Sequence, residues 1–198
     1  MTVKMKLPRL ALVLAAVLLF AKGEAADGQT GNDRRTLVVY FSCTNNTKTM
    51  AKRIAKIADA DTWRIVPVRA YTDTDLDASD PKARAIVEQE HESVRPDIKG
   101  RCADIGKYDT VFLGYPLWAG KAPRVIFTFL ESHDLSGKTI IPFCTSRSKG
   151  IGSSDVPLQK EAKRAKWKRG LRLDTDYDEA TLAAWVTRNL PQETPARL

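Results

Sequence analysis

Only three cysteines and two histidines occur in the 198 residues, and their scarcity removes several function classes at once. Cys43, Cys102 and Cys144 share no close spacing, so neither a disulfide-dense scaffold nor a CxxC redox pair is available, and they read as mostly single, packed thiols. His91 and His133 sit in polar surroundings without an HExxH motif or a ligand-spaced partner, an unpromising basis for a structural metal site. Eleven glycines and ten prolines are too few for a collagen-like repeat. No apolar run reaches the ~20 residues that cross a bilayer, which excludes a polytopic membrane protein. What remains is 43% apolar and 28% charged residues, a balance that supports one globular domain with a core.

The amino terminus stands apart from that domain. Lys4, Lys6 and Arg9 precede an apolar run from Leu10 to Ala21, and the small residues Gly23 and Ala25 follow, the layout of a secretory signal peptide cleaved near Ala25. The run falls short of a bilayer span, which favours cleavage over an uncleaved anchor and leaves no stable membrane span after processing. Removing residues 1–25 lowers the net charge from +8 by +3, so the exported, periplasmic form stays basic. Residues 26–36 are polar and read as a flexible leader, 37–190 as the folded domain, and 191–198 as a tail.

Within the domain, apolar strand patterns alternate with helical ones. Leu37–Ser42 has the β-branched and aromatic make-up of a strand buried on both faces, and Thr47–Ala58 places Met50, Ala51, Ile54, Ala55 and Ala58 at helical spacing. Strands are predicted at Thr62–Val66, Thr110–Gly114, Thr139–Cys144 and Gly170–Leu173. Helices are predicted at Pro81–Glu92, Arg124–Glu131, Ser154–Ala165 and Asp178–Leu190. This alternation specifies an α/β fold, a parallel sheet with helices on both sides. Ligands in such sheets sit beyond the carboxyl ends of the strands, so the loops opening at Ser42, Gly114 and Cys144 are where chemistry is sought.

The first of these loops, Ser42-Cys-Thr-Asn-Asn-Thr47, sets hydroxyls and amides at a helix start, where unsatisfied N–H groups and the helix dipole favour a phosphate; plain N-capping by Asn46 or Thr47 is the simpler alternative. It lacks the lysine of a nucleoside triphosphate loop. Tyr40-Phe-Ser-Cys-Thr-Asn-Asn-Thr47 resembles the flavodoxin phosphate loop, Ser/Thr-x-Thr-Gly-x-Thr. Gly114-Tyr-Pro-Leu-Trp-Ala-Gly-Lys-Ala-Pro123, running into Phe127-Thr-Phe-Leu-Glu131, is similar to a Gly-Tyr-Pro-x-Trp-Trp-Gly segment of one flavodoxin-like subfamily. Thr145-Ser146 leading to Gly150-Ile-Gly-Ser-Ser154 resembles that subfamily's Thr-Ser-Gly-Gly-Ser-Gly loop.

The resemblance implies a flavodoxin-like three-layer fold with five parallel strands in the order 2-1-3-4-5, non-covalent FMN, and electrons passed through the flavin. On this sequence it places Ser42, Thr44, Asn45, Asn46 and Thr47 around the ribityl phosphate. It places Pro116, Leu117, Trp118, Ala119 and Gly120 along the isoalloxazine, with Thr145, Ser146 and Gly150 closing the other side. Tyr115 and Trp118 are the ring neighbours it implies, although aromatics after a strand also serve as core caps. Three departures fall inside the motifs: Asn45 stands for glycine, Ala119 for the second tryptophan, and Arg147-Ser-Lys149 for Gly-Gly-Ser. The alternative they motivate is a flavodoxin fold that no longer holds flavin and works as a binding module.

Other signals dissolve on inspection. Ser136-Gly-Lys-Thr139 ends like a nucleotide-binding loop but precedes a strand, and Asp73-x-Asp75-x-Asp77 lacks the glycine and glutamate of a calcium loop and reads as solvated. Asn45-Asn46-Thr47 fits a glycosylation sequon but lies in the predicted phosphate loop. Between Lys160 and Arg172 seven basic residues face one acid, which reads first as a solvated helix end and following strand and otherwise as a patch for an acidic redox partner, anionic lipid or nucleic acid, the last disfavoured by export. Redox partner protein and small-molecule acceptor both remain open, as do electron carrier and flavin reductase.

Overall fold

The computed structural model describes residues 35–147 and 149–191. The signal segment, most of the leader and the tail beyond Pro191 lie outside the described residues.

The sheet is built around β1 (Arg35–Tyr40), whose residues from Thr36 onward are all buried, and β3 (Tyr108–Pro116), which pairs with it in parallel through Val38↔Phe112 and Val39↔Leu113. β2 (Asp61–Arg64) is a polar edge strand on the far side of β1, and β4 (Thr139–Thr145) lies beyond β3. Two short segments, β5 (Lys166–Trp167) and β6 (Leu171–Leu173), both pair with β4 in parallel. The strand order is therefore 2-1-3-4-5, with the fifth position shared by two pieces.

The helices are α1 (Asn46–Ala58), α2 (Arg84–Glu90), α3 (Arg124–Ser132), α4 (Val156–Glu161) and α5 (Glu179–Asn189). Strand residues alternate between two cores because successive side chains point to opposite faces. Val38, Phe112, Ile141 and Phe143 pack with Met50 and Ile54 of α1 and Leu182 and Val186 of α5. Leu37, Val39, Val111, Leu113 and Ile140 pack with Ile126, Phe129 and Leu130 of α3 and Leu158 of α4. This is the three-layer flavodoxin-like arrangement. At the centre, Gly114 faces Phe143 across the β3–β4 register, and a Cβ there would lie 2.1 Å from the ring.

Several predicted boundaries shift. The first strand begins at Arg35, inside the segment read as leader, and stops before Ser42. β3 is longer than predicted, and β2 and α2 are displaced or shorter. The helix predicted over Ser154–Ala165 ends at Glu161, because the chain must turn to let the Lys166 N–H reach Lys138 O at 2.8 Å and the Lys168 N–H reach Ile140 O at 2.9 Å. Sheet pairing overrides helix propensity there. The single predicted strand at 170–173 is the second of two pieces. Three steps along β4 from Ile140 to Phe143 face four from Trp167 to Leu171, an extra residue opposite Pro142, which has no N–H to donate.

The Asp73–Asp77 segment, expected to be solvated, contains a 3₁₀ turn at Thr74–Leu76 with Asp75 buried. Its carboxylate accepts the Thr72 N–H at 3.0 Å. His133, read as lying in polar surroundings, instead packs its ring on Phe129 and Trp63, with centroids 4.5 and 5.6 Å away. The three cysteines are unpaired, Cys102 and Cys144 buried and Cys43 half-buried.

Candidate functional site

Three loops at the carboxyl end of the sheet converge. The first leaves β1 at Phe41, and α1 starts only after Asn45 adopts a left-handed conformation at φ 66°. Ser42 is buried, and its carbonyl accepts a bond from the Arg64 guanidinium at 3.1 Å. Thr44, Asn45 and Asn46 are exposed. Burial pushes the Cys43 thiol up to about 11, against the opposing pull of Arg64 and Arg84, so it stays protonated and unreactive at neutral pH.

The second loop follows β3. Leu117 donates its N–H to Thr145 O at 3.0 Å, and Trp118 and Lys121 exchange backbone bonds of 3.0 and 2.9 Å around Ala119 (φ 51°) and Gly120 (φ 82°). Two positive φ values in succession make a tight hairpin turn of the primed type. The Trp118 ring meets Tyr71 and Phe41 edge-on, with centroids 4.9 and 5.5 Å apart, and Arg84 stacks on the Tyr71 ring at 4.0 Å.

The third loop opens at Thr145, whose hydroxyl lies 2.8 Å from that of Thr47, a buried bond that ties β4 to the first turn of α1. Ser146 accepts the Lys149 N–H on its Oγ at 3.2 Å and a bond from Arg172 Nε on its carbonyl at 3.0 Å. Arg172 is also paired with Asp174.

These loops enclose a cavity of about 760 Å³. Thr44 and Asn46 line it from the first loop, Pro116, Leu117 and Trp118 from the second, and Thr145, Ser146 and Arg147 from the third. One stretch of wall carries hydroxyl and amide groups beside a helix start, and another is apolar and aromatic. The arrangement can hold a ligand with an anionic end and a planar apolar body.

Residues 35–189 match the family model for flavodoxin. The chain belongs to the flavodoxin family. Its fold is shared by a protein described as a flavoprotein from Bacteroides eggerthii, 40% identical over 78% of this chain and 96% of that one, with a TM-score of 0.74. A second, from Bacteroides uniformis, is 37% identical over 77% and 97%, also at 0.74. A flavoprotein from Lactobacillus acidophilus, solved in complex with FMN, is 22% identical over 77% and 98% with a TM-score of 0.58. The sequence matches no curated protein.

In this flavodoxin, Thr44, Asn46, Pro116, Leu117, Trp118, Thr145 and Ser146 are brought together on one cavity. Ser42 and Thr47 are buried and do not line it, and neither do Asn45, Ala119, Gly120 or Gly150. Tyr115, a suggested ring neighbour, is a core residue: it is wholly buried and its hydroxyl lies 3.1 Å from that of Ser154. The cavity also takes Leu76 and Ala78 from the 3₁₀ turn and Arg172 to Asp176 from the loop after β6. The loop after β6 was within reach of sequence reasoning, since the rule about strand carboxyl ends applies to the last strand as well. Nothing in the polar run around Leu76 marks it.

Proposed function

We propose that this protein is an exported flavodoxin-like protein that binds FMN and uses it in electron transfer or flavin-dependent reduction. The carrying observation is the single cavity in which the α1 start meets the Pro116–Trp118 wall. The residues present fit the cofactor. No acid stands between Ser42 and Thr47 to repel a phosphate, and the exposed Thr44 and Asn46 offer donors beside the orphan N–H groups of α1. Arg147 and Arg172 on the lining balance Asp174 and Asp176.

When bound, the flavin supplies the redox chemistry itself. The chain's part is to bind and orient. Thr44 and Asn46, with the amides of 44–47, hold the anionic end. Pro116, Leu117 and Trp118 exclude water from the apolar part, and the Thr47–Thr145 bond keeps the first and third loops in fixed relation. The lysine- and arginine-rich segment, with Lys160, Lys163, Arg164, Lys166 and Arg169 all exposed, suits an acidic redox partner, and the amino-terminal pattern supports export.

A visible spectrum of the purified protein during FMN titration tests the reading. Saturable shifts of the flavin bands support it, and stepwise reduction then separates a one-electron carrier from a reductase that oxidises NAD(P)H. A protein that leaves the FMN spectrum unchanged at millimolar concentration would instead be a flavin-free binding module.

A further inference from the structure

Arg124, at the start of α3, is 4% exposed, yet among the described residues no carboxylate lies within ion-pairing distance of its guanidinium. Its Nε donates to the main-chain carbonyl of Glu88 at 3.2 Å. Glu92 borders the same cavity without reaching the guanidinium, and three other acids are engaged elsewhere. The Glu88 carboxylate accepts from Arg84 at 2.6 Å and from the Tyr71 hydroxyl at 2.5 Å, while Glu131 and Glu161 face Arg95 at 2.6 and 3.6 Å. No hydrogen bond from its terminal nitrogens is formed among the described residues, and these atoms are not sealed from solvent, so they are available to an anion in the cavity beside them.

The guanidinium borders a cavity of about 310 Å³ between the end of α2, the turn at Gly120–Ala122 and α4. Phe127, Ala122 and Pro157 give this cavity apolar surface, and the guanidinium carbons of Arg124 and Arg95 lie 4.7 and 5.1 Å from the Phe127 ring centroid. Gln89, on the same wall, donates its amide to Ala122 O at 3.2 Å, and its Oε1 is buried with no partner among the described residues. Burial pulls the Arg124 pKa below the ordinary arginine value; Arg95 acts in the same direction, and Glu92 and Glu161 oppose it. The group nonetheless stays charged.

We infer that this second cavity binds a small monocarboxylate with a compact apolar body, its carboxylate held by the terminal nitrogens of Arg124. A planar carboxylate matches the guanidinium fork, and the volume is at the lower end for ligand sites, which run from roughly 300 to 1,000 Å³. Glu92 and Glu161 also border the cavity, which disfavours a dianion. The site shares no lining residue with the larger cavity, so it stands whether or not the protein holds FMN.

The test is a titration of the full protein with benzoate, methyl benzoate and inorganic phosphate, followed by calorimetry and by the amide signals of Gly120, Lys121, Ala122 and Phe127. Saturable benzoate binding that moves those signals, with the ester at least tenfold weaker, is the expected result. Arg124→Met should lose the binding at least tenfold while remaining folded by circular dichroism, and Arg124→Lys, which keeps the charge without the fork, should also weaken it. No saturation by benzoate, equal binding of the ester, or tighter binding of phosphate would overturn the assignment. The ester comparison needs no variant and decides the matter even if both substitutions fail to fold.

Discussion

Asn45 and Ala119 hold left-handed backbone conformations at φ 66° and 51°, in two of the loops that form the larger cavity. A Cβ in that region crowds the following carbonyl, a cost that asparagine offsets by local hydrogen bonding and alanine does not. The Ala119-Gly120 turn has the geometry for which Asn-Gly is the favoured pair. We expect Ala119→Asn to raise the unfolding free energy by up to about 1 kcal/mol in urea denaturation at unchanged m value; a loss of stability would contradict the strain. The sequence displays this departure plainly, since both residues stand where the family has another. It does not display the burial of Ser42, Thr47 and Tyr115. Loop composition names which residues could reach a ligand, whereas their orientation depends on long-range contacts such as Thr47 to Thr145, 98 residues apart.

Among the elements, α3 and the segment after Gly100 are joined through one imidazole. The Cys102 N–H donates to His133 Nε2 at 2.9 Å, and His133 Nδ1 lies 2.8 Å from Phe129 O. That pattern requires the proton on Nδ1 and a free lone pair on Nε2. Burial pulls the His133 pKa below its ordinary value, with the Phe129 carbonyl opposing and Arg101 adding to the effect. The unfolded chain therefore takes up the proton first as pH falls. This contribution to stability is complete above about pH 6.5 and declines below it, toward the lowered folded pKa. Urea midpoints should fall between pH 7.5 and 5.5 in the parent protein and change less in His133→Gln. Equal pH dependence in both would contradict the role.

Element existence was legible because β1, β3 and β4 are continuous apolar runs and α1 carries a clear apolar stripe. The short α4 and the divided fifth strand were not, since both depend on where the chain must return to pair with β4. Pro142 lacks the N–H that a ladder needs, but which neighbour faces it is set by the assembled sheet.

For the whole molecule, alternating strand and helix patterns were enough for a parallel α/β sheet, because parallel sheets demand crossovers and place ligand loops at one end, whereas the strand order 2-1-3-4-5 was legible only through the family resemblance. The extent of the site was less legible. Arg172 to Asp176 reach the cavity only because β6 lies beside the carboxyl end of β4, through Cys144↔Arg172 and Thr145↔Leu173. Two cavities lie on separate linings, one against the α1 start and one around Arg124. The central claim concerns the first. Mapping FMN onto the protein by amide chemical shifts tests it most directly. Saturable shifts confined to residues 44–47, 116–118 and 145–147, together with the loop after β6, are the expected result. Binding that moves other surfaces and leaves those loops untouched, or no binding at all, would contradict it.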